Sequence, residues 1–398
     1  MAENKENKVL NVPNLRFPEF EGEWEESTIG KQFELYSGNT PSRINKELFN
    51  GTINWISSGE LKEHYIYSTK ERISQEAANN LKLLSVGTFV IAIYGLEAEG
   101  VRGTGSITQE PSTISQACMA FTPKGEITNE FLYSWYKKHG NVIGVKYAQG
   151  TKQQNLSYDI LEKFKISYPN VKEQDKLNLF FSLIDKRIST QNKIIDKLQS
   201  LIKGISNRLL YADNSMSIRI EEMLIERSER TKKNNQYEIL SSTVNGIFSQ
   251  RDYFSKDIAS DNNVGYKIVH LHDIVLSPQN LWMGNINFND KFDIGIVSPS
   301  YKVFSIADGF DKKYVAALLK THHALYNYML VSEQGASTVR RNLNYEAFEQ
   351  LVFKIPSLNK QQEIGHVISL LKSQLENANL LIKTYNSQKQ YLLRQMFI

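Results

Sequence analysis

Asn155-Leu156-Ser157-Tyr158 and Asn342-Leu343-Asn344-Tyr345 are one motif that occurs twice, 187 residues apart. In both copies a glycine precedes the motif, and a proline, a glutamine and a long helical pattern follow it. Repetition of a whole structural unit leaves this kind of signature in a sequence. Residues 150–210 and 335–397 therefore predict a duplicated fold, with a globular part and a long helix in each copy.

A single apolar register runs through each helical pattern, with spacings that alternate between four and three residues. Such spacing is typical of a coiled-coil seam. The first register contains Leu177, Phe181, Ile184, Ile188, Gln191, Ile195, Leu198, Ile202, Ile205 and Leu209. Adding 187 to each position gives the second register: Ile364, Ile368, Leu371, Leu375, Ala378, Ile382, Tyr385, Lys389, Leu392 and Met396.

The two helices are predicted to pair with each other. The alternative is that each helix is amphipathic and packs only on its own globular part, but the equal length and register favour pairing. Since each helix leaves its own globular part in the same chain direction, such a pair must be antiparallel. A helix of about 35 residues spans roughly 50 Å, which is enough to hold two domains apart.

The composition shifts along the chain divide it into five segments. They are a lead-in at 1–23, a first domain at 24–169, a first helix at 170–212, a second domain at 213–356 and a second helix at 357–398. Short β-type runs alternate with Gly, Asn and Ser turns in both domains, which indicates the α+β class.

The second domain repeats the first faintly. Gly87 to Ile91 parallels His272 to Leu276, and Phe131-Leu132 parallels Tyr314-Val315. The shared positions are mostly framework, whereas the polar loops between them differ. This pattern predicts one scaffold that carries two different reading surfaces.

Composition narrows the class of protein. The 398 residues include 47 Lys plus Arg against 43 Asp plus Glu, a net charge of only +4, so any DNA-binding surface must be local. The single cysteine, Cys118, fits a reducing compartment and is predicted to be buried in a strand. No apolar run reaches the ~18 residues of a membrane span, and there is no signal-peptide core, so we expect a cytoplasmic protein.

Catalytic signatures are missing from the sequence. There is no phosphate-binding loop, no dinucleotide fingerprint and no Asn/Asp-Pro-Pro-aromatic motif of amino-methyltransferases. The pairs His270/His272 and His322/His323 lack partners at metal-ligand spacing beyond Asp273, which favours ordinary core or solvated histidines over a metal site. These absences favour a binding protein over an enzyme.

The chain resembles the specificity subunit of type I restriction-modification systems. The resemblance rests on Pro13 to Phe20 with Gly22 to Trp24, on Ser37 to Ser42 and on the twin blocks described above. It implies two pseudo-repeated mixed α/β target recognition domains, separated by a long antiparallel two-helix coiled coil. Each domain would read one half of a bipartite, asymmetric site in double-stranded DNA.

The resemblance also implies the partners. The two helices would set the gap between the half-sites and dock two methyltransferase subunits, through which restriction subunits join. S-adenosylmethionine, ATP and magnesium would belong to those partner subunits, and this chain would hold no cofactor. The alternatives are a stand-alone DNA-binding regulator and a coiled-coil scaffold outside restriction, although no second dimerisation helix follows Met396.

Candidate DNA contacts fall into two groups. The loop after Gly150 and its repeat occupy equivalent positions, which favours phosphate contacts over base readout or a solvated loop: Lys152, Gln153, Gln154, Arg340 and Arg341. Loops that differ between the copies are better candidates for base readout. These residues are Ser57, Ser58, Glu60, Lys62, Tyr94 and Arg102 in the first domain, and Thr243, Gln250, Arg251, Gln279, Asn280 and Trp282 in the second.

Overall fold

The computed structural model describes residues 10–150, 154–210, 216–253, 262–334 and 341–398. The chain divides into two compact units. Unit 1 contains the residues up to Asn192 together with Leu380–Ile398, and unit 2 contains Lys193–Asn379. Both unit boundaries fall inside long helices, so each unit includes part of both helices.

Unit 1 is a mixed α/β unit. Its strands are β1 (Glu25–Thr28), β2 (Phe33–Ser37), β3 (Ile53–Ile56), β4 (Tyr65–Ile66), β5 (Arg72–Ile73), β6 (Phe89–Ala92), β7 (Gly105–Thr108), β8 (Ser112–Ile114), β9 (Cys118–Pro123) and β10 (Lys165–Tyr168). Its helices are α1 (Ile29–Gln32), α2 (Gln75–Asn79), α3 (Asn129–Tyr147), α4 (Tyr158–Leu161) and the start of α5 (Val171–Leu210). The strands form the sheets β2-β9-β6-β7-β4, β5-β3-β8 and β1-β10.

Unit 2 is built in the same way. Its strands are β11 (Met216–Arg219), β12 (Leu224–Glu226), β13 (Leu240–Thr243), β14 (Gly246–Ser249), β15 (Lys267–His270), β16 (Ile274–Leu276), β17 (Ile286–Phe288), β18 (Ile294–Val297), β19 (Lys302–Ile306), β20 (Ser332–Gln334), β21 (Arg341–Leu343) and β22 (Val352–Ile355). Its helices are α6 (Ile220–Met223), α7 (Gln250–Tyr253), α8 (Lys312–Leu318), α9 (His322–Leu330), α10 (Tyr345–Glu349) and the start of α11 (Leu358–Met396).

The central sheets of the two units have the same strand order. Unit 1 has β2-β9-β6-β7 and unit 2 has β12-β19-β16-β17, while β1-β10 corresponds to β11-β22. The central strands β6 and β16 read Phe-Val-Ile-Ala and Ile-Val-Leu and are fully buried, as expected for strands covered on both faces. Unit 1 adds β4 beside β7, whereas β17 lies at the edge of its sheet in the described part of unit 2.

A buried glutamine fixes the start of each long helix. Gln174 is fully buried, donates from Nε2 to Pro169 O at 2.9 Å, and accepts at Oε1 from the N–H of Thr128, the cap of α3, at 3.0 Å. Gln361 does the same with Pro356 O at 2.9 Å and with the N–H of Asp311 at 3.1 Å.

These bonds explain why the same spacing of proline and glutamine occurs in both blocks. The side-chain amide satisfies the open backbone groups at the entry of the long helix and at the start of the domain helix. The block therefore orients the helix on the domain in each unit.

The lead-in packs on unit 1. Arg16 forms two hydrogen bonds with the carboxylate of Glu173, at 2.8 and 2.6 Å, and Glu173 is only 1% exposed. Leu15 N–H donates to Gln395 O at 2.9 Å, and the ring of Phe17 packs edge-on against Phe180. The lead-in thus binds both the start of α5 and the end of α11 in unit 1.

The ten positions of each predicted register are buried or half-buried, except Leu209, whose side chain lies outside the described set. Within unit 1, Phe181 contacts Phe397 with ring centroids 5.5 Å apart, Asp185 pairs with Lys389, and Arg187 lies over the Tyr385 ring at 4.6 Å. As residue numbers increase along α5, those of the contacting residues on α11 decrease, so these two segments run antiparallel.

Two further expectations can be compared with the structure. Cys118 is fully buried in β9, and burial raises the pKa of its thiol to about 12, which confirms the predicted buried strand position. In the described ranges, no helix is long and apolar enough to cross a membrane.

Candidate nucleic-acid interface

In unit 1, the loop after β6 meets the chain just before the Asn-Leu-Ser-Tyr block. Tyr94 forms a bridge with Asn155, Leu96 N–H donates to Gln154 O at 3.0 Å, and Gln154 N–H donates to the carboxylate of Glu97 at 2.9 Å. The bond from Gln154 N–H lowers the pKa of Glu97. Two predicted contact residues, Tyr94 and Gln154, therefore lie in one cluster, which we call the unit 1 loop junction.

Arg102 shapes the same loop. Its Nε donates to Leu96 O at 2.6 Å and its Nη2 donates to Glu97 O at 3.0 Å. The aliphatic part of its side chain packs against Gly144 of α3, where an added Cβ would lie 3.1 Å from Arg102 Cγ. The structure thus gives Arg102 a role in holding the loop, and its predicted contact with a base remains a prediction.

An open groove of about 470 Å³ lies at this junction. Tyr94, Gln149, Asn155 and Tyr158 line it together with Ser37 and Met119. An aromatic ring, two amides and a phenol can stack on or hydrogen-bond to the edges of nucleobases.

The Ser57 to Lys62 turn is a separate candidate in unit 1. The Glu60 carboxylate accepts from Ser57 N–H at 3.0 Å, from the Ser57 hydroxyl at 3.1 Å and from Lys70 N–H at 2.6 Å. These bonds make Glu60 a structural acceptor within its own turn. Lys62 is exposed and Ser58 is half-buried.

In unit 2, the corresponding loop follows β16 and contains Gln279, Asn280 and Trp282. Arg341 N–H donates to Gln279 O at 3.1 Å, and its guanidinium carbon lies 4.6 Å from the centre of the half-buried Trp282 ring. The backbone carbonyl of Asn280 accepts from Met283 N–H and Asn285 N–H, which closes the loop. This cluster, the unit 2 loop junction, has the same position in unit 2 as the Tyr94 cluster has in unit 1.

Thr243, Gln250 and Arg251 lie on the neighbouring β13–β14 hairpin and on α7. A buried amide network holds the hairpin: Asn287 Nδ2 donates to Thr243 O at 2.7 Å, and the Ser242 hydroxyl donates to Asn285 Oδ1 at 2.8 Å. Gln250 N–H donates to Ile239 O at 2.9 Å. The side chain of Arg251 is exposed.

Sequence comparison shows which known proteins this chain resembles. Residues 21–200 match the family model of the type I restriction modification DNA specificity domain. The specificity subunit of the type I restriction enzyme EcoR124I/EcoR124II from Escherichia coli is 29% identical over 189 residues, 46% of this chain and 45% of that protein. The MjaIX specificity subunit from Methanocaldococcus jannaschii is 27% identical over 206 residues, 50% of this chain and 45% of that protein. Residues 21–200 of this chain are thus similar to the DNA specificity domain of type I restriction-modification systems.

Solved structures agree with this assignment at the level of the fold. The S subunit of a type I restriction-modification system from M. genitalium aligns with a TM-score of 0.60 and 15% identity, over 97% of this chain and 99% of that chain. A chain from a structure of type I system assembly and conformational transition aligns with a TM-score of 0.54 and 12% identity, over 94% and 97%. The curated relatives are matched over slightly less than half of their own length.

Three of the predicted DNA-contacting residues lie outside the described residues: Lys152, Gln153 and Arg340. The described neighbours Gln154 and Arg341 both belong to the loop junctions. The structure therefore brings together Tyr94, Arg102 and Gln154 in unit 1, and Gln279, Asn280, Trp282 and Arg341 in unit 2.

A repeated lysine pins both candidate loops and was missed in the sequence. Lys137 Nζ lies 3.5 Å from Gly103 O, and Lys320 Nζ donates to Gly284 O at 3.1 Å and to Val244 O at 3.2 Å. Both glycines are left-handed, with φ of +67° and +93°. The sequence contains a signal for this repeat, because each lysine follows the cap of its domain helix by nine residues.

Burial lowers the pKa of Lys137 to about 8 and that of Lys320 to about 8, and nearby Lys389 and Lys372, respectively, add to the effect. Each ammonium is thus held on a loop carbonyl at an electrostatic cost. Both units carry this cost at the base of the two loops that contain the candidate contacts.

Three of the four histidines in the two pairs have local partners in the structure. His270 Nε2 lies 2.8 Å from Glu229 Oε2, His272 stacks on Phe288, and His323 Nε2 lies 3.2 Å from Asn327 Nδ2. In the described part of the chain, no group of three His, Cys, Asp or Glu side chains is placed to bind a metal ion.

Proposed function

We propose that this chain is the non-catalytic DNA-specificity subunit of a type I restriction-modification complex. Residues 24–169 and 213–356 form two target recognition domains, and each reads one half of a bipartite asymmetric site in double-stranded DNA. The antiparallel helices at 170–212 and 357–398 form a coiled coil that sets the gap between the half-sites. The complex acts in the cytoplasm.

The loop junctions carry this proposal. Both units fix the loop after the central strand to the residue before the Asn-Leu-x-Tyr block, through Leu96 with Gln154 and through Gln279 with Arg341. The backbone arrangement is repeated, but the side chains at the two junctions differ. Equal placement with unequal side chains is what two readers of different half-sites require.

Roles for the candidate residues follow from their chemistry. Lys152, before the first block, and Arg341, before the second, are cations that can bind phosphate oxygens. Gln154 and Gln279 can hydrogen-bond to the edge of adenine. Trp282, partly open and already stacked under a guanidinium, offers an aromatic face at the same surface. Thr243, Gln250 and Arg251 extend that surface along the hairpin of unit 2.

Partner docking is proposed on the helices. Leu183 and Leu370 occupy equivalent positions off the seam and are 57% and 54% exposed, and Ile194 and Leu381 are a second equivalent pair at 43% and 39%. Repeated exposed apolar positions fit two methyltransferase subunits. Restriction subunits then join through the methyltransferases, and S-adenosylmethionine, ATP and magnesium are bound by these partners.

The test is a domain exchange in cells that contain the partner subunits. Replacing residues 24–169 by the corresponding part of a related subunit should change one half of the methylated motif and leave the other half and the gap unchanged. Methylome sequencing measures all three. A change in both halves of the motif contradicts the two-reader proposal. Loss of all methylation, with sequence-specific DNA binding by the chain retained, would favour a stand-alone regulator.

A further inference from the structure

In unit 1, a short segment fills the groove between the edge of the central sheet and the helices α3 and α5. Strand β4 pairs in parallel with β7, and Ile107 N–H donates to His64 O at 2.8 Å. The His64 ring lies between the rings of Tyr65 and Tyr133, with centroids 4.0 Å from each. The unit closes its own groove with residues 63–66.

The groove of unit 1 is acidic where it meets the His64 ring. His64 Nε2 lies 2.8 Å from Glu130 Oε2, and Nδ1 lies 3.3 Å from Asp185 Oδ2. Burial opposes protonation of His64, but the hydrogen bonds and charges of Asp185 and Glu130 outweigh it and raise the pKa of His64. A cationic side chain therefore suits this groove.

The repeat locates the same groove in unit 2. Phe288 replaces Ile107, because Ile107 pairs opposite Phe89 in β6 and Phe288 pairs opposite Ile274 in β16. Lys372 replaces Asp185, because each follows its buried glutamine by eleven residues.

Two further replacements lie on the domain helix. Lys313 replaces Glu130, since each lies two residues after the helix cap, and Ala316 replaces Tyr133. Both carboxylates have thus become lysines, and one of the two rings that enclose His64 has become a methyl group.

The groove of unit 2 is open. Two adjoining hollows of about 340 and 170 Å³ share Phe288 and Lys313 in their walls. Within the described part of the chain, β17 pairs only with β16 and no strand takes the place of β4. Ser277 with Asn285 and Asp273 with Asn289 are hydrogen-bonded pairs, so by alternation the N–H and C=O of Phe288 point to the outer edge.

The charges of the open groove suit an anionic side chain. Lys313 and Lys372 are exposed, and neither forms an ion pair within 4.0 Å among the residues that the structure describes. Three carboxylates also lie at the groove, Asp290, Asp311 and Glu376; Asp311 accepts from the N–H of Tyr314 as the cap of α8, and Glu376 pairs with Lys291 at 3.8 Å. The apolar walls around Phe288 and Ile368, with an open strand edge, favour a peptide over a nucleic acid backbone.

We propose that the unit 2 groove binds an extended segment of a partner protein, which adds a strand to β17 and places an aspartate or glutamate side chain between Lys313 and Lys372. The peptide backbone pairs with Phe288 as His64 pairs with Ile107 in unit 1. The space left by Ala316 accepts the side chains of the added strand. This inference does not depend on the DNA-specificity role.

The probe is a labelled nine-residue peptide with the sequence of residues 60–68, in which the residue corresponding to His64 is aspartate. Peptides with histidine or lysine at that position are the controls, and fluorescence anisotropy with the full chain measures binding. The aspartate peptide should bind saturably and at least about tenfold more tightly than the lysine peptide.

The double variant K313E/K372D restores the acidic pattern of unit 1. It should reverse the preference, so that the histidine and lysine peptides bind more tightly than the aspartate peptide. The variant K232E/K354D makes the same charge change at exposed lysines of unit 2 away from the groove and should leave the wild-type preference intact. Thermal unfolding of each variant checks that the chain is folded.

Three outcomes overturn the proposal. The first is equal affinity for the aspartate and lysine peptides, or a preference that K313E/K372D does not change. The second is that the aspartate peptide shows no saturable binding up to about 1 mM. A dissociation constant above that value corresponds to a binding free energy weaker than about −4 kcal/mol. The third is displacement of the peptide by duplex DNA that depends on Lys313 and Lys372, which would assign the groove to nucleic acid.

Discussion

Units 1 and 2 share a strand order but differ in how their edges are finished. In unit 1 the lead-in packs on the helices and residues 63–66 cover the edge of β7, whereas among the described residues of unit 2 no strand pairs with the corresponding edge of β17. Both units have a buried glutamine, a lysine on the candidate loop and a domain helix capped by a side chain, Thr128 in unit 1 and Asp311 in unit 2. The duplicated residues thus hold the scaffold together, whereas the proposed binding surfaces lie on residues that differ between the units.

The largest expected effect concerns the lead-in, which packs on unit 1. Arg16→Met leaves the buried Glu173 carboxylate without its guanidinium, which should cost unit 1 about 3 kcal/mol of stability. Hydrogen exchange should accelerate in β1 and at the start of α5 but stay unchanged in β11 and α8.

The matched control is Lys360→Met, at the position of unit 2 that corresponds to Glu173. Lys360 is exposed, so this change should cost less than about 0.5 kcal/mol. Equal acceleration of exchange in both units after Arg16→Met would show that the lead-in does not act on unit 1 alone.

The twin glutamines test what the units share. Gln174→Leu leaves the carbonyls of Pro169 and Glu126 and the N–H of Thr128 without partners, and Gln361→Leu does the same to two groups. We expect losses of about 2 to 3 kcal/mol, the larger for Gln174. Calorimetry of the full chain, with exposed Gln199→Leu as control, measures the difference; no loss in either unit would refute the role of the block.

The repeated lysines link stability to recognition. Between pH 8 and about 10.5 the unfolded chain keeps a proton that folded Lys137 and Lys320 have released, so stability due to these groups rises with pH across that window. At pH 7 both states are protonated, and the cost of burying the charge is fully present.

Lys137→Met should therefore raise stability at pH 7 by about 1 kcal/mol, with a gain that fades towards pH 10, and Lys320→Met should act in the same way. If the proposed function holds, each change should also relax one half of the methylated motif, because the pinned loop is released. Exposed Lys146→Met on the same helix as Lys137 is the control. A stability gain with an unaltered motif would mean that the lysines do not position the loops.

The smallest expected effect lies in the turn before the central strand. Gly87 has φ of +83° and the corresponding His272 has φ of +73°, so unit 2 places an L side chain in the left-handed region that unit 1 leaves to glycine. Gly87→Ala should cost about 1 kcal/mol by strain alone, because nothing lies within 4 Å of the added Cβ.

His272→Gly removes the strain but also removes the stacking of His272 on Phe288, so its net effect should be within about 0.5 kcal/mol. Denaturant unfolding measures both variants. A strong loss for His272→Gly would show that the ring contributes more than the strain costs.

Much of the framework could be predicted from the sequence. The motif at Asn155 and Asn342, the register of the two long helices and the buried strand position of Cys118 are local patterns, and apolar periodicity reports burial directly. The candidate contacts could be predicted only as separate loops, since no local pattern tells that Trp282 stacks with Arg341 or that Tyr94 meets Asn155.

The sequence by itself determined the duplication, because repeated spacing between proline, glutamine and apolar positions is visible without coordinates. Only the tertiary structure decided that Lys137 and Lys320 pin the loops, that Arg102 and Glu60 hold their own backbone, and that His64 fills a groove which Lys313 and Lys372 leave open. The bonds of Arg102 and Glu60 are local, whereas the lysine and His64 contacts join residues tens to more than a hundred positions apart. The energies of all these contacts depend on burial and hydrogen-bond geometry that exist only in the folded chain.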